Sequence, residues 1–267
     1  MDVRPSARRR AVDARLGLTR PGDPVGAAPI ITLPGVVGWP IAVMALVFAA
    51  GIVLPDRPQL RLEYAIGFVP VRLTAALAGV RGADLGQGLS TLVSHAFVHG
   101  NLPHIALNGL WMAVFGTGVA RRLSAEGRGA GAVWNKAVFL AFFAASAAAG
   151  GLAFLAVNPN SPQLLVGASG AISGLMAAAM RFALRPFAPY GPAHGPLAGL
   201  GARPVAAVTV VYIGFNLATA LGLGGVFGGG LDIAWEAHIG GYVFGLLAFP
   251  LFDGLARRPR PEGFYPA

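Results

Sequence analysis

Apolar residues along this chain come in long runs, and the polar residues between them are gathered into short, mostly basic segments. The first run, 35–54, is about the 20 residues a helix needs to cross a hydrocarbon core, and Pro55 ends it. Segment 55–90 mixes both charge signs (Asp56, Arg57, Arg61, Glu63, Arg72, Arg81, Asp84) with apolar stretches such as AIGFVPV. That pattern predicts a connection lying in the membrane interface. Further spans are predicted over 102–119, closed by Arg121 and Arg122, over 137–157, which is uncharged, from 169 to Arg181, over 204–221 and over 237–252. The expected fold is an all-α polytopic membrane protein, a six-transmembrane-helix bundle over 35–253. Basic cytoplasmic tails are expected at 1–34 and 254–267.

Composition supports that class. Apolar residues are 55% of the chain and charged ones 12%, against roughly 25% charged in soluble domains. Mean hydropathy is +0.64. The net charge of +9 is spread over flanks of apolar runs instead of one stripe, which points to a lipid bilayer and away from nucleic acid. With no cysteine, disulfides and thiolate chemistry are excluded. Residues 1–34 are Arg-rich without a continuous apolar core, so they read as a flexible tail and not a signal peptide. Asp2, Asp13 and Asp23 count against an organelle-targeting segment.

With the N-terminus cytoplasmic, sixteen of the twenty basic residues fall on the inner side and four, all in the first long loop, on the outer. The positive-inside rule then places both termini in the cytoplasm. The fourth span matters most. From Ser169 to Arg181 a helix rises only about 18 Å, well short of the hydrocarbon thickness. The preceding loop, NPNSPQLLVGA, must descend into the membrane, and irregular backbone at that depth requires protein or a water-filled cavity around it. Ser169 would then begin a helix below the outer surface.

A serine in the uncharged run LLVGASGAISGLMAAAM is either a small residue that lets helices touch or a nucleophile. Deciding between these needs a base and an oxyanion site. His238 opens the sixth span on the same side as Ser169, in EAHIGGYVFG. Gly241 and Gly245 form a small-xxx-small face, and Gly170 and Gly174 beside Ser169 give the fourth span another. Close approach of two such helices can bring hydroxyl and imidazole within hydrogen-bond reach. In HAFVHGNLPHIALNGLW, His104 and Asn108 are four apart and share a helix face. Their donors, with the Ser169 amide at a helix N-terminus, are candidates for an oxyanion site. His95 and His99 lack a partner carboxylate for a metal site, so no metal or other cofactor is expected. His194, in GPAHGP, reads as a surface residue. The glycine-rich segment 222–230 is either a gate or simply a flexible loop.

G-A-S-G (167–170), H-A-F-V-H-x4-H-x3-N (95–108) and A-H-I-G-G-x3-G (237–245) resemble the rhomboid intramembrane serine proteases, in the same order along the chain. The resemblance covers roughly 35–253. It implies a rhomboid-like bundle with a recessed active site, a Ser169–His238 dyad without an essential acid, and oxyanion contacts from His104, Asn108 and the Ser169 amide. Gly167, Gly170, Gly241 and Gly245 would set helix packing at the site. The implied partners are transmembrane protein substrates, cut near their outer end, and the implied location is the bacterial inner membrane. Two departures stand out: the first loop lacks a Trp-Arg pair, reading GQGLSTLVSH, and Ser173 replaces an aromatic four residues after the serine. They bear on how the loop is anchored and how His238 is oriented. A noncatalytic binder of client helices is the rival reading. A transporter would call for internal repeats and carboxylates at membrane centre, and neither is seen.

Overall fold

The computed structural model describes residues 33–125, 129–184, 195–223 and 233–257. Most of the tail expected at 1–34, His194, residues 224–230 of the glycine-rich segment and the C-terminal tail from 258 lie outside them.

The apolar runs fold as helices. The chain passes through α1 (Gly35–Val53), α2 (Asp56–Ile66), α3 (Pro70–Leu77), α4 (Leu85–Ser94) and a 3-10 turn (His95–Phe97). It continues through α5 (Leu102–Trp111), a π-helical turn (Met112–Gly116) and α6 (Thr117–Arg122). α7 (Ala130–Val157), α8 (Ser169–Ala183), α9 (Arg203–Ala220) and α10 (Trp235–Leu255) complete the described bundle. α1, α7, α9 and α10 are each long and apolar enough to cross a membrane. The second span is a single helical run from 102 to 122 with the π turn at its middle. α8 has 15 residues and so is about 22 Å long, shorter than the hydrocarbon core as its sequence predicts. This is an all-α membrane bundle.

α10 packs on α7 and α8 at the centre, where Phe139, Phe142, Leu175 and Phe249 are fully buried. Leu46, Val210, Val211 and Leu251 stay exposed on the outer faces, as side chains solvated by lipid tails do. α9 stands more apart: Val205 and Asn216 are its buried residues.

The connection at 55–90 is mostly helical, and the middle of its apolar stretch is buried against the protein. Phe68 and Val69 are 0% and 4% exposed. Phe68 pairs with Leu165 in an antiparallel bridge, N to O distances 3.1 and 2.8 Å. The Val71 amide donates to Ser161 O at 3.1 Å, Thr74 Oγ1 to Pro159 O at 2.9 Å and Ser94 Oγ to Ile66 O at 2.6 Å. The bridge and the Val71 and Thr74 bonds satisfy backbone groups of Pro159, Ser161 and Leu165 in the loop before Ser169. They also hold the first loop without a Trp-Arg pair.

At its other end α10 is fastened by side chains. Arg122 donates from Nε and Nη2 to the two Asp253 oxygens at 2.8 and 2.7 Å. Trp134 Nε1 donates to Leu255 O, and Asn135 exchanges two bonds with the Arg257 backbone. α10 is longer than the predicted 237–252 and takes in both Glu236 and Asp253. Each carboxylate is paired near a helix end, Glu236 accepting from Asn158 Nδ2 at 2.9 Å. Pairing at the ends explains how one apolar helix holds two acids.

Candidate active site

Ser169 is the first residue of α8, and the first bond of that helix runs from Ile172 N to Ala168 O at 2.9 Å. The amides of Ser169, Gly170 and Ala171 therefore precede the intrahelical ladder, which gives this end its positive partial charge. The turn into the helix depends on Gly167. Its φ is +110°, a left-handed value, and its amide donates to His95 O at 2.9 Å. A Cβ at 167 would lie 2.5 Å from His104 Nε2. Glycine is thus required twice, for the backbone angle and for the imidazole beside it.

His104 reaches that position from the first turn of α5, where Asn101 Oδ1 accepts from the His104 amide at 2.9 Å and caps the helix. Its ring meets the His99 ring edge-on with centroids 4.9 Å apart. His95 is buried, its Nδ1 bonded to Thr91 O at 3.0 Å, and serves as an anchor for the loop. Asn108 is 5% exposed, and its Nδ2 donates to His104 O at 2.8 Å within its own helix. One of its two N–H groups is thereby occupied, leaving the second for another acceptor.

α8 and α10 touch backbone to backbone. A Cβ on Gly170 would lie 3.1 Å from Ala237 O, and one on Gly241 would overlap Gly170 O. One on Gly174 would lie 3.0 Å from Gly241 O, and one on Gly245 would overlap the Gly174 backbone. Ser169 and His238 are each one residue from the Gly170–Ala237 contact, at the same end of adjacent helices. Gly150 of α7 closes the junction: a Cβ there would stand 2.8 Å from Ala237 O and 3.5 Å from Gly170 Cα. Gly241→Ala is expected to destabilise the bundle by roughly 1–3 kcal/mol, because backbone, not a flexible side chain, occupies the space. Thermal unfolding in detergent checks this, with Gly109→Ala, where a Cβ meets nothing, as the neutral comparison.

Ser169 is half-buried, and among the described residues its Oγ has no hydrogen-bond partner. His238, also half-buried, bonds through Nδ1 to Asn216 Oδ1 of α9 at 2.9 Å. The structure thus brings His104 to the loop before Ser169 and seats the Ser169 helix on the His238 helix. It does not close a Ser169–His238 hydrogen bond.

A family model, the Rhomboid domain, matches residues 86–253, more than half the chain. The chain belongs to the rhomboid family. The match runs from the start of α4 into the last turns of α10 and takes in every candidate site residue. A search of curated proteins finds no match. In this rhomboid, Ser173 donates to Ser169 O at 2.6 Å and meets the Tyr212 hydroxyl at 2.5 Å. The Tyr212 ring stacks on Tyr242 with centroids 4.5 Å apart. The aromatic absent from position 173 is thus supplied to the same neighbourhood by α9. Sequence reasoning missed Gly150, Tyr212 and Asn216. For the last two a signal exists: Thr209, Tyr212 and Asn216 fall on one face of an otherwise apolar helix.

Proposed function

We propose that this rhomboid protein is an intramembrane serine endopeptidase that hydrolyses peptide bonds in or near transmembrane helices, with Ser169 as nucleophile and His238 as base. The observation that carries this reading is the glycine contact between α8 and α10, which sets both residues at one end of two touching helices. His238 takes the Ser169 proton as the hydroxyl attacks a peptide carbonyl, and later gives it to the leaving amine. Water then hydrolyses the acyl-enzyme by the same route. The oxyanion would be met by the Ser169 amide, His104 and the second N–H of Asn108. Such donors and the dyad bond are often slack without substrate and tighten in the complex. The enzyme would sit in the bacterial inner membrane with both termini cytoplasmic, 35–253 being the catalytic domain.

The Ser169 hydroxyl, without a hydrogen-bond partner among the described residues, favours a second reading, a noncatalytic binder of client helices. Cleavage separates the two. Purified protein in lipid vesicles is expected to cut a single-span reporter once, near the outer end of its helix. Intact reporters across several sequences, with the protein correctly folded, would leave the binder reading standing.

A further inference from the structure

We propose that Asn216 is a positioning residue for His238, extending the pair to a Ser169–His238–Asn216 arrangement. The inference rests on the protease reading above. It begins from α9, most of whose residues are at least partly exposed: Asn216 is 1% exposed, and a buried amide on such a helix needs partners. Both of its polar atoms have one. Nδ2 donates to Tyr212 O at 2.9 Å, and Oδ1 faces His238 Nδ1 at 2.9 Å.

These two bonds argue for one amide orientation and one His238 tautomer. The Tyr212 carbonyl only accepts, so the amide nitrogen must face it. A flipped amide would set two oxygens against each other. Oδ1 is therefore turned to His238, and since it only accepts, Nδ1 must carry the hydrogen. The lone pair is left on Nε2, the nitrogen that would take the Ser169 proton. When it does, the imidazolium keeps its Nδ1–H bond to Asn216, and the neutral amide takes no proton.

α9 holds the serine side as well. Ser173 has one hydroxyl hydrogen, and it goes to Ser169 O, so the Tyr212 hydroxyl is the donor to Ser173. Tyr212 thus links to the Ser169 backbone through its hydroxyl and to Asn216 through its carbonyl. Thr209, one turn earlier, bonds the Tyr242 hydroxyl at 2.9 Å. Three polar ties thus run from one face of α9 to α8 and α10.

The test has two arms. Nitrogen-15 NMR of histidine-labelled protein, with His238 assigned by subtracting the His238→Ala spectrum, is expected to show the Nδ1–H tautomer. An Nε2–H tautomer in the wild type overturns the proposal. In kinetics, Asn216→Leu is expected to lower kcat roughly 10- to 100-fold with KM little changed. Asn216→Asp, which keeps the acceptor, should recover most of that loss. Thr209→Val, which removes a different α9 tie, should cost far less than Asn216→Leu. Equal losses in Asn216→Leu and Thr209→Val, or an Asp variant as slow as Leu, would reduce Asn216 to helix docking and overturn the proposal. Should Asn216→Leu fail to fold, the wild-type tautomer and the Asp variant decide. If the wild type does not cleave, it is the protease reading that falls, while the nitrogen spectrum still reports whether Asn216 holds His238.

Discussion

Replacing His238 by alanine is expected to lower the rate of reporter cleavage by roughly 10⁴- to 10⁶-fold, while the protein keeps its fold. The magnitude follows from the number of roles one ring carries. The proposed His238 takes the proton from Ser169, delivers it to the leaving amine and repeats both steps for water. Residues that act as such a unit fail together, so removing the base costs nearly as much as removing the nucleophile. The fold should survive because α10 is seated by other groups. Gly241 and Gly245 lie against the α8 backbone, and Arg122 grips the far end. In the described residues His238 contributes one side-chain bond, to Asn216. Cleavage in vesicles and thermal unfolding in detergent, measured side by side, separate the effects. A folded variant retaining more than about a hundredth of the activity would contradict a histidine base.

Arg122→Ala carries the largest expected effect on stability, a loss of about 3–5 kcal/mol. Arg122 is 2% exposed, holds both Asp253 oxygens in a fork, and sets its guanidinium 5.6 Å from the Phe182 ring centroid. The fork joins the end of the second span to the last turn of α10, and the ring contact ties in α8. Truncation removes a two-bond contact from a carboxylate in the last turn of an apolar helix, and the loss of that neutralisation sets the cost. Replacing the pair together, as Arg122→Met with Asp253→Leu, should recover much of the loss, since two apolar groups need no compensation. Unfolding in mixed micelles measures both. If the single variant is as stable as the wild type, the ion pair is not what fastens this end.

The long apolar helices α1, α7, α9 and α10 were legible because membrane helices announce themselves by length and apolarity, and the short α8 by its shortfall. The glycine faces at 170 and 174 and at 241 and 245 were legible from their spacing, and the structure places them in contact. The burial of Phe68 in the first loop was not, because it depends on Leu165, almost a hundred positions away. Sequence periodicity reports local structure, and a bridge of that separation leaves no trace in it. The same holds for Asp253, whose partner Arg122 lies on another span. Asn216 was missed for a different reason. A single amide in an apolar run is ambiguous until the facing helix is known, and its significance comes entirely from His238. Position 173 shows the converse: the departure from the family pattern was visible, but the contact of Ser173 with Tyr212 of α9 needed the third dimension.

The central claim is that Ser169 is a nucleophile, and its reactivity with a fluorophosphonate probe tests it most directly. The wild-type protein in lipid is expected to be labelled on one residue, mapped by mass spectrometry to Ser169, with labelling lost in Ser169→Ala. A folded wild type that takes no label, or takes it equally well after Ser169→Ala, would contradict the account and leave a rhomboid that binds helices without cutting them.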